Sequence, residues 1–410
     1  MKLTQADREQ LLSKIDKLVA TNFYDLSFGG KNWERIVASH RATIINAQTV
    51  LDFESAVAAM LAELNSSGLG LLSPHTAITP RNAINASFRS VATFHDGYRW
   101  VFQDILPGGV AAQAGIRSAD ALIQVDNKEI VPPAPPTFVM DDRIPIVISR
   151  NGQRKQIHLE LRTPPPKYRD CPYAEPESIT VSNSKSVGQL KVALFPGKIG
   201  IDFANRLQQV VTGELKSVER LIVDLRGNPG GGVGGVRLMS YLTPEKQPIG
   251  YSLDRATAKR GYDKNTLPRF GRIPHSKWEI AILALKYRKK KAVVLETEGL
   301  GRQPFHGRIV FLVNEHSTGA AEMVAQFAQE NKLATIVGSK TPGHLLARSA
   351  FKLGVGYQLT IPIAAYQSWA GNRIEGRGIV PEIPVDWSYE AALSGADTQL
   401  ERAIEVVNAA

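Results

Sequence analysis

Four stretches of this 410-residue chain carry the residues that could do chemistry. Asp224-Leu225-Arg226-Gly227-Asn228-Pro229-Gly230-Gly231 closes an apolar strand pattern. Its glycines let backbone N–H groups face a substrate carbonyl with no side chain in the way. Donors placed where an oxyanion develops supply a large share of acyl-transfer catalysis. Asn314-Glu315-His316-Ser317-Thr318-Gly319-Ala320-Ala321-Glu322 turns from a buried strand into a helix. A nucleophile in that turn would sit at a helix N-terminus and gain from the dipole. Gly338-Ser339-Lys340-Thr341-Pro342-Gly343 follows, and Gly378-Ile379-Val380-Pro381-Glu382-Ile383 precedes the last helix. Taken alone, DLRGNPGG also reads as a tight turn between strand and helix.

Other chemistries find little support. GNPGGGVGG lacks the G-K-[ST] ending of a phosphate-binding loop, and no His, Cys or carboxylate pair has metal-ligand spacing such as H-E-x-x-H. No cofactor and no metal are expected. His306 and His316 near turns read as local hydrogen-bonding groups. The net charge of +10 favours acidic partners in a general way. Its densest run, Lys286-Tyr287-Arg288-Lys289-Lys290-Lys291, has one aromatic and no recognisable nucleic-acid fold around it, so it reads as solvated surface. The single cysteine, Cys171, excludes an internal disulfide. No apolar stretch is long enough for a membrane helix. The start MKLTQADREQLL lacks a signal core; as it stands that reads as a cytoplasmic chain, and as a periplasmic or secreted one had a signal been removed.

The elements that must position these residues fall into three groups. Residues 1–80 read as a helical domain, with Thr4 capping the first helix and Gly68 ending the third. Residues 87–165 read as a small β-domain of short strands around Pro107-Gly108-Gly109-Val110-Ala111, ending at the proline linker Thr163–Lys167. Residues 175–410 alternate apolar strands with helices, the pattern of a layered α/β core, and close on the amphipathic helix DTQLERAIEVVNAA.

Leu106–Ala111 through Ala114-Gly115-Ile116 to Asp120 resembles the loop-helix-strand of a PDZ domain, which receives extended peptides by strand addition. In this order and spacing, the four stretches resemble those of the C-terminal processing, or tail-specific, serine peptidases, whose core the interphotoreceptor retinoid-binding proteins share. The resemblance covers nearly the whole chain. It implies a multidomain α/β fold with a core of the ClpP/crotonase-like type, and a partner that is an extended peptide or a protein C-terminus. It also implies an oxyanion hole from Gly230 or Gly231 with Ala320.

The sequence departs from the family where the chemistry resides. Against the pattern N-x-x-T-A-S-A-S-E, Gly319 stands at the nucleophile. His344, after Thr341-Pro342-Gly343, stands at the general-base lysine, and Arg348 at the glutamine four residues on. The tricorn-like branch places a glutamate where this chain has Glu375. Its Ser-His pair meets Ser67-Gly68, with His75 close by but out of register. Two expectations follow. The site is catalytically silent or weak and binds an extended peptide, or an apolar ligand as in the retinoid-binding relatives. Alternatively hydrolysis has moved to a relocated set: Ser317, with Thr318 beside it, His344 as base and Glu375 orienting that histidine.

Overall fold

Each of the first three helices opens on a side chain that satisfies its free N–H groups. Thr4 caps α1 (Gln5–Asn22), Asn32 caps α2 (Trp33–Ile45) and Thr49 caps α3 (Val50–Ala62). Asp7 and Asp52 complete capping boxes on α1 and α3. This computed structural model describes residues 3–73, 84–138, 143–161, 177–184, 187–196, 200–274, 278–279, 292–301 and 307–409. Cys171, His75, His306, the proline linker and the basic run at 286–291 lie outside them.

The helices do not close a core of their own. Ile15, Val19, Phe53 and Met60 share one apolar cluster with Leu353, Tyr357, Leu359 and Ile361 from near the other end of the chain. Strand β1 (Gly70–Leu72) also pairs antiparallel with that distant segment.

The β-rich unit runs β2 (Ala86–Thr93), β3 (Gly97–Ile105), α4 (Val110–Gln113), β4 (Ala121–Val125), β5 (Lys128–Glu129), β6 (Arg143–Arg150) and β7 (Gln153–Glu160). Its antiparallel sheet has the order β2-β3-β4-β6-β7, with β5 on β4, around Phe102, Leu122, Ile146 and Leu159.

The rest is the layered core. In chain order it comprises β8 (Ile179–Ser184), β9 (Val187–Val192), α5 (Ile201–Thr212), β10 (Arg220–Asp224), α6 (Gly235–Ser240), β11 (Pro248–Asp254), α7 (Arg255–Arg260), β12 (Arg269–Phe270), β13 (Val293–Glu296), β14 (Ile309–Val313), α8 (Ala320–Glu330), β15 (Thr335–Gly338), β16 (Leu346–Gly354), β17 (Tyr357–Ser368), β18 (Ile383–Pro384), α9 (Tyr389–Leu393) and α10 (Thr398–Asn408). One sheet has the order β18-β15-β14-β10-β9-β8, parallel except for β8. All five residues of β14 are buried, as a central parallel strand covered on both faces requires. Alternation decides which face each one meets. Phe311 and Val313 pack with α5, α6 and α8, whereas Val310 and Leu312 pack with Ala403 and Val407 of α10. A second sheet, β1-β17-β11-β13-β12 with β16 on β17, joins the helical segment to the core.

Parallel strands leave their carboxyl ends facing one crevice, where open α/β sheets gather ligand groups. β10 ends there in an ionic knot. Arg226 donates to both Asp224 oxygens at 3.0 and 2.9 Å and to both Asp397 oxygens at 2.8 Å. Lys191 lies 3.2 Å from Asp224. Burial alone would raise the Asp224 carboxyl, but Arg226 and Lys191 hold it well below the usual carboxylate range. A depressed carboxyl contributes stability above its unfolded value of about 4, and that share is lost as pH falls toward the folded value. Arg226→Ala is therefore expected to cost about 3 kcal/mol at neutral pH in urea unfolding, with the gap to the parent narrowing on acidification below about pH 4. A gap independent of pH would refute the assignment.

Candidate active site

The turn from β14 into α8 is an elbow. Gly319 stands at φ 62°, ψ −120°, a conformation that glycine adopts without strain and a side chain does not. Gly230 reaches the same point from the other loop, so close that a Cβ there would lie 2.8 Å from the Thr318 carbonyl and 3.0 Å from Ala320 N. The two glycine-rich loops thus meet backbone to backbone.

A buried carboxylate fixes the elbow. Glu322, fully buried in the first turn of α8, accepts hydrogen bonds from Gly319 N (3.0 Å), Thr341 Oγ1 (2.6 Å), Gly343 N (2.7 Å) and His344 N (2.9 Å). The Thr341 hydroxyl in turn accepts from Ile379 N at 2.8 Å, which ties in the Gly378–Ile383 stretch. Burial pushes the Glu322 carboxyl up, against the opposing pull of its four donors. Asn314 fixes the other side. Its Oδ1 accepts from Gly227 N at 3.0 Å and His316 N at 3.1 Å, and its Nδ2 donates at 3.0 Å to Asp104 of the β-rich unit. Asn314 and Glu322, the two ends of the motif, are the residues that assemble the site. The signal available for Glu322 was an acidic residue three positions into a helix, the spacing of a capping box.

The geometry corrects the relocated set. Ser317 is fully buried; its hydroxyl donates to the Leu225 carbonyl at 2.9 Å and accepts from Asn314 N at 3.0 Å. It faces the core because the elbow sends residue 317 toward the end of β10. Thr318 is 7% exposed, with its N–H on the Asn228 carbonyl at 2.9 Å. Glu375 does not orient His344 either. Its carboxylate accepts from Ser67 N (3.0 Å), Ser67 Oγ (2.9 Å) and Leu345 N (2.9 Å). His344 is exposed and joined to the elbow through its backbone, its carbonyl accepting from Gly319 N at 3.1 Å.

Arg348 is exposed on β16 and lies over Gly68, where a Cβ would fall 2.2 Å from Arg348 Cδ. The arginine thus fills the space that a side chain at position 68 would take.

Two of the three proposed oxyanion donors are open. The Gly230 N–H is spent on Asn228 Oδ1 at 2.7 Å. The bridge at Phe195 uses the Gly230 carbonyl and the Gly232 N–H, so Gly231 presents its own N–H away from Phe195. Ala320 N is the first helical N–H of α8 and takes no internal acceptor among the described residues. The elbow therefore presents a pair of backbone donors beside a glycine. Among the described residues no group of three His, Cys, Asp or Glu could hold a metal.

These loops and layers form an α/β core, and residues 186–385 match the model of peptidase family S41. That match spans just under half of the chain, and the relatives found alongside it are C-terminal processing proteases. A carboxyl-terminal-processing protease of Synechocystis sp. (strain ATCC 27184 / PCC 6803 / Kazusa) is 22% identical over 99% of this chain and 88% of its own length. The carboxy-terminal processing protease CtpB of Bacillus subtilis (strain 168) is 22% identical over 81% of this chain and 62% of its own. Among solved structures, the photosystem II D1 C-terminal processing protease superposes with a TM-score of 0.59 at 18% identity, covering 98% of this chain and 97% of that one. Mature CPAF complexed with lactacystin superposes with a TM-score of 0.58 at 15% identity, covering 97% of each chain. The likeness to these structures establishes the mixed α/β multidomain fold.

Glu322→Ala would strand the Thr341 hydroxyl and the Gly343 and His344 N–H donors, while Gly319 N keeps the His344 carbonyl. It is expected to cost about 2–4 kcal/mol in denaturant unfolding. Hydrogen exchange should rise first at Gly343 and His344, and unchanged exchange there would show that the elbow is held by something else.

Proposed function

We propose that this chain recognises extended peptides or protein C-termini without hydrolysing them. The observation that carries this reading is Gly319 in the elbow, a residue with no side chain at the point where an acyl-enzyme would form. The neighbouring hydroxyl of Ser317 is bound inward to Leu225, so it is no substitute. A nucleophile and base must lie within hydrogen-bond reach in a productive pose, and small misplacements are costly. Recognition keeps its groups. The Gly231 and Ala320 N–H donors suit a peptide carbonyl. β2 is an edge strand of the PDZ-like sheet, and its Arg89 pairs with Glu315 of the elbow at 3.3 Å. A peptide added along such an edge would run toward the elbow.

The test is digestion of an unfolded protein and of a C-terminally tagged peptide, with binding of the same peptide measured in parallel. No cleavage and saturable binding are expected. Cleavage by the parent chain that His344→Ala abolishes would overturn the proposal. Restoring the family residues gives a further check. A Cβ at 319 would meet nothing nearer than 3.5 Å, so a serine fits, at a backbone cost of about 1–3 kcal/mol. The triple variant Gly319→Ser, His344→Lys, Arg348→Gln is expected to gain measurable peptide hydrolysis. A folded triple variant that binds peptide and stays inert would show that more than the three side chains has been lost.

A further inference from the structure

Beyond the elbow the chain runs straight into β16, which starts two residues after His344 and pairs with β17 alone. Among the described residues no other backbone group bonds to it, and one side chain does, Lys14 Nζ on the Leu353 carbonyl at 2.8 Å. Its second edge therefore offers N–H and C=O groups to an added strand. The pairing is unbroken from Arg348 opposite Pro362 to Lys352 opposite Gln358. Alternation sends Phe351 inward to the N-terminal helices and puts Arg348, Ala350 and Lys352 on the outer face, all three exposed.

That outer face is cationic and uncompensated. The Arg348 stem lies over Gly68, but no carboxylate among the described residues pairs with its guanidinium or with the Lys352 ammonium. Arg377 adds a third such charge. Its backbone N lies 2.8 Å from where a Cβ of Gly343 would fall, and its side chain is exposed. Glu375, two residues before it, is already held by Ser67 and the Leu345 N–H. A second copy of β16 would set its own cations against these, which like charge opposes. Ala347 and Ala350, the exposed residues beside them, offer no ring on which a nucleobase could stack.

We propose that β16 is the specificity strand of the site: it takes an extended peptide on its free edge and selects one with acidic side chains four positions apart. This rests on the peptide-recognition reading above and adds the class of peptide. A strand laid along β16 turns every second side chain to the face that carries Arg348 and Lys352. Two carboxylates four positions apart share that face, at the spacing of the two cations. Arg348 meets a carboxylate with its planar fork, and Lys352 meets one as a point charge. The backbone pairing is indifferent to sequence, so the charges supply the choice.

The experiment is fluorescence anisotropy of the full chain with labelled ten-residue peptides of alanine and threonine, blocked at both ends so that no terminal charge is read. One carries glutamates at its fourth and eighth positions, one carries glutamines there, and one carries glutamates at its fourth and seventh, which fall on opposite faces. At low ionic strength the first is expected to bind about fivefold tighter than the glutamine peptide, with the third between them, and high salt should remove the difference. Arg348→Gln and Lys352→Gln should each weaken the first peptide by about twofold to threefold and leave the glutamine peptide unchanged. Lys216→Gln, before β10 at the opposite end of the sheet, removes the same charge and should change neither. Equal affinity for the glutamate and glutamine peptides, or binding of the C-terminally tagged peptide alone, would overturn this proposal and leave peptide recognition standing, the cations then serving only to blunt an edge. Failure of every peptide, the tagged one included, would overturn both. An equal loss in Lys216→Gln would reduce the effect to net charge, and displacement of the glutamate peptide by oligothymidine as readily as by itself would assign the face to nucleic acid; either result refutes the proposal.

Discussion

A single buried carboxylate holds the candidate site together. Glu322 gathers the elbow, the Thr341–His344 turn and, through Thr341, the stretch from Gly378. Burying a carboxyl is costly unless donors surround it, and four do. That requirement places Gly319 at the start of α8 and His344 beside it, whatever side chains those positions carry. It also explains how the elbow keeps its form with Gly319, His344 and Arg348 around it. Gly319, His344 and Arg348 take no part with their side chains in the Glu322 network, so replacing them leaves the scaffold intact.

The substitutions are mutually consistent. Gly319 relieves the strain of a positive φ in the elbow, and Gly68 leaves room for the Arg348 side chain. Glu375, free of a histidine to orient, binds Ser67 and the Leu345 N–H and so ties the helical segment to the turn after His344. The β-rich unit is joined in the same way, by Asp104 on Asn314 and Arg89 on Glu315. Backbone donors at the elbow and ties between the units thus stand together in one network.

Much of the fold was legible in the chain. Thr4 as a cap, the β2–β7 strands, the buried runs of β10, β14 and β15, and the closing α10 all carry local signals: a capping side chain, period-two alternation, an apolar run or an amphipathic stripe. The β11, β13, β16 and β17 strands escaped notice. β16 is half exposed along its length, and it is a strand because β17 and the N-terminal helices cover it. The separation of residues 1–80 as a helical unit likewise missed that its core is completed by residues 353–361.

By itself the sequence determined that position 319 offers no hydroxyl, because a glycine has none in any fold, and motif order carried the resemblance to the C-terminal processing peptidases. Where the remaining groups point was settled only in three dimensions. Ser317 lies two residues from Gly319, but the elbow turns its hydroxyl onto Leu225, 92 residues away in sequence. Glu375 meets Ser67 across 308 residues. Direction at a strand-to-helix turn depends on φ and ψ, and contact across hundreds of residues depends on packing. Neither is written in local spacing.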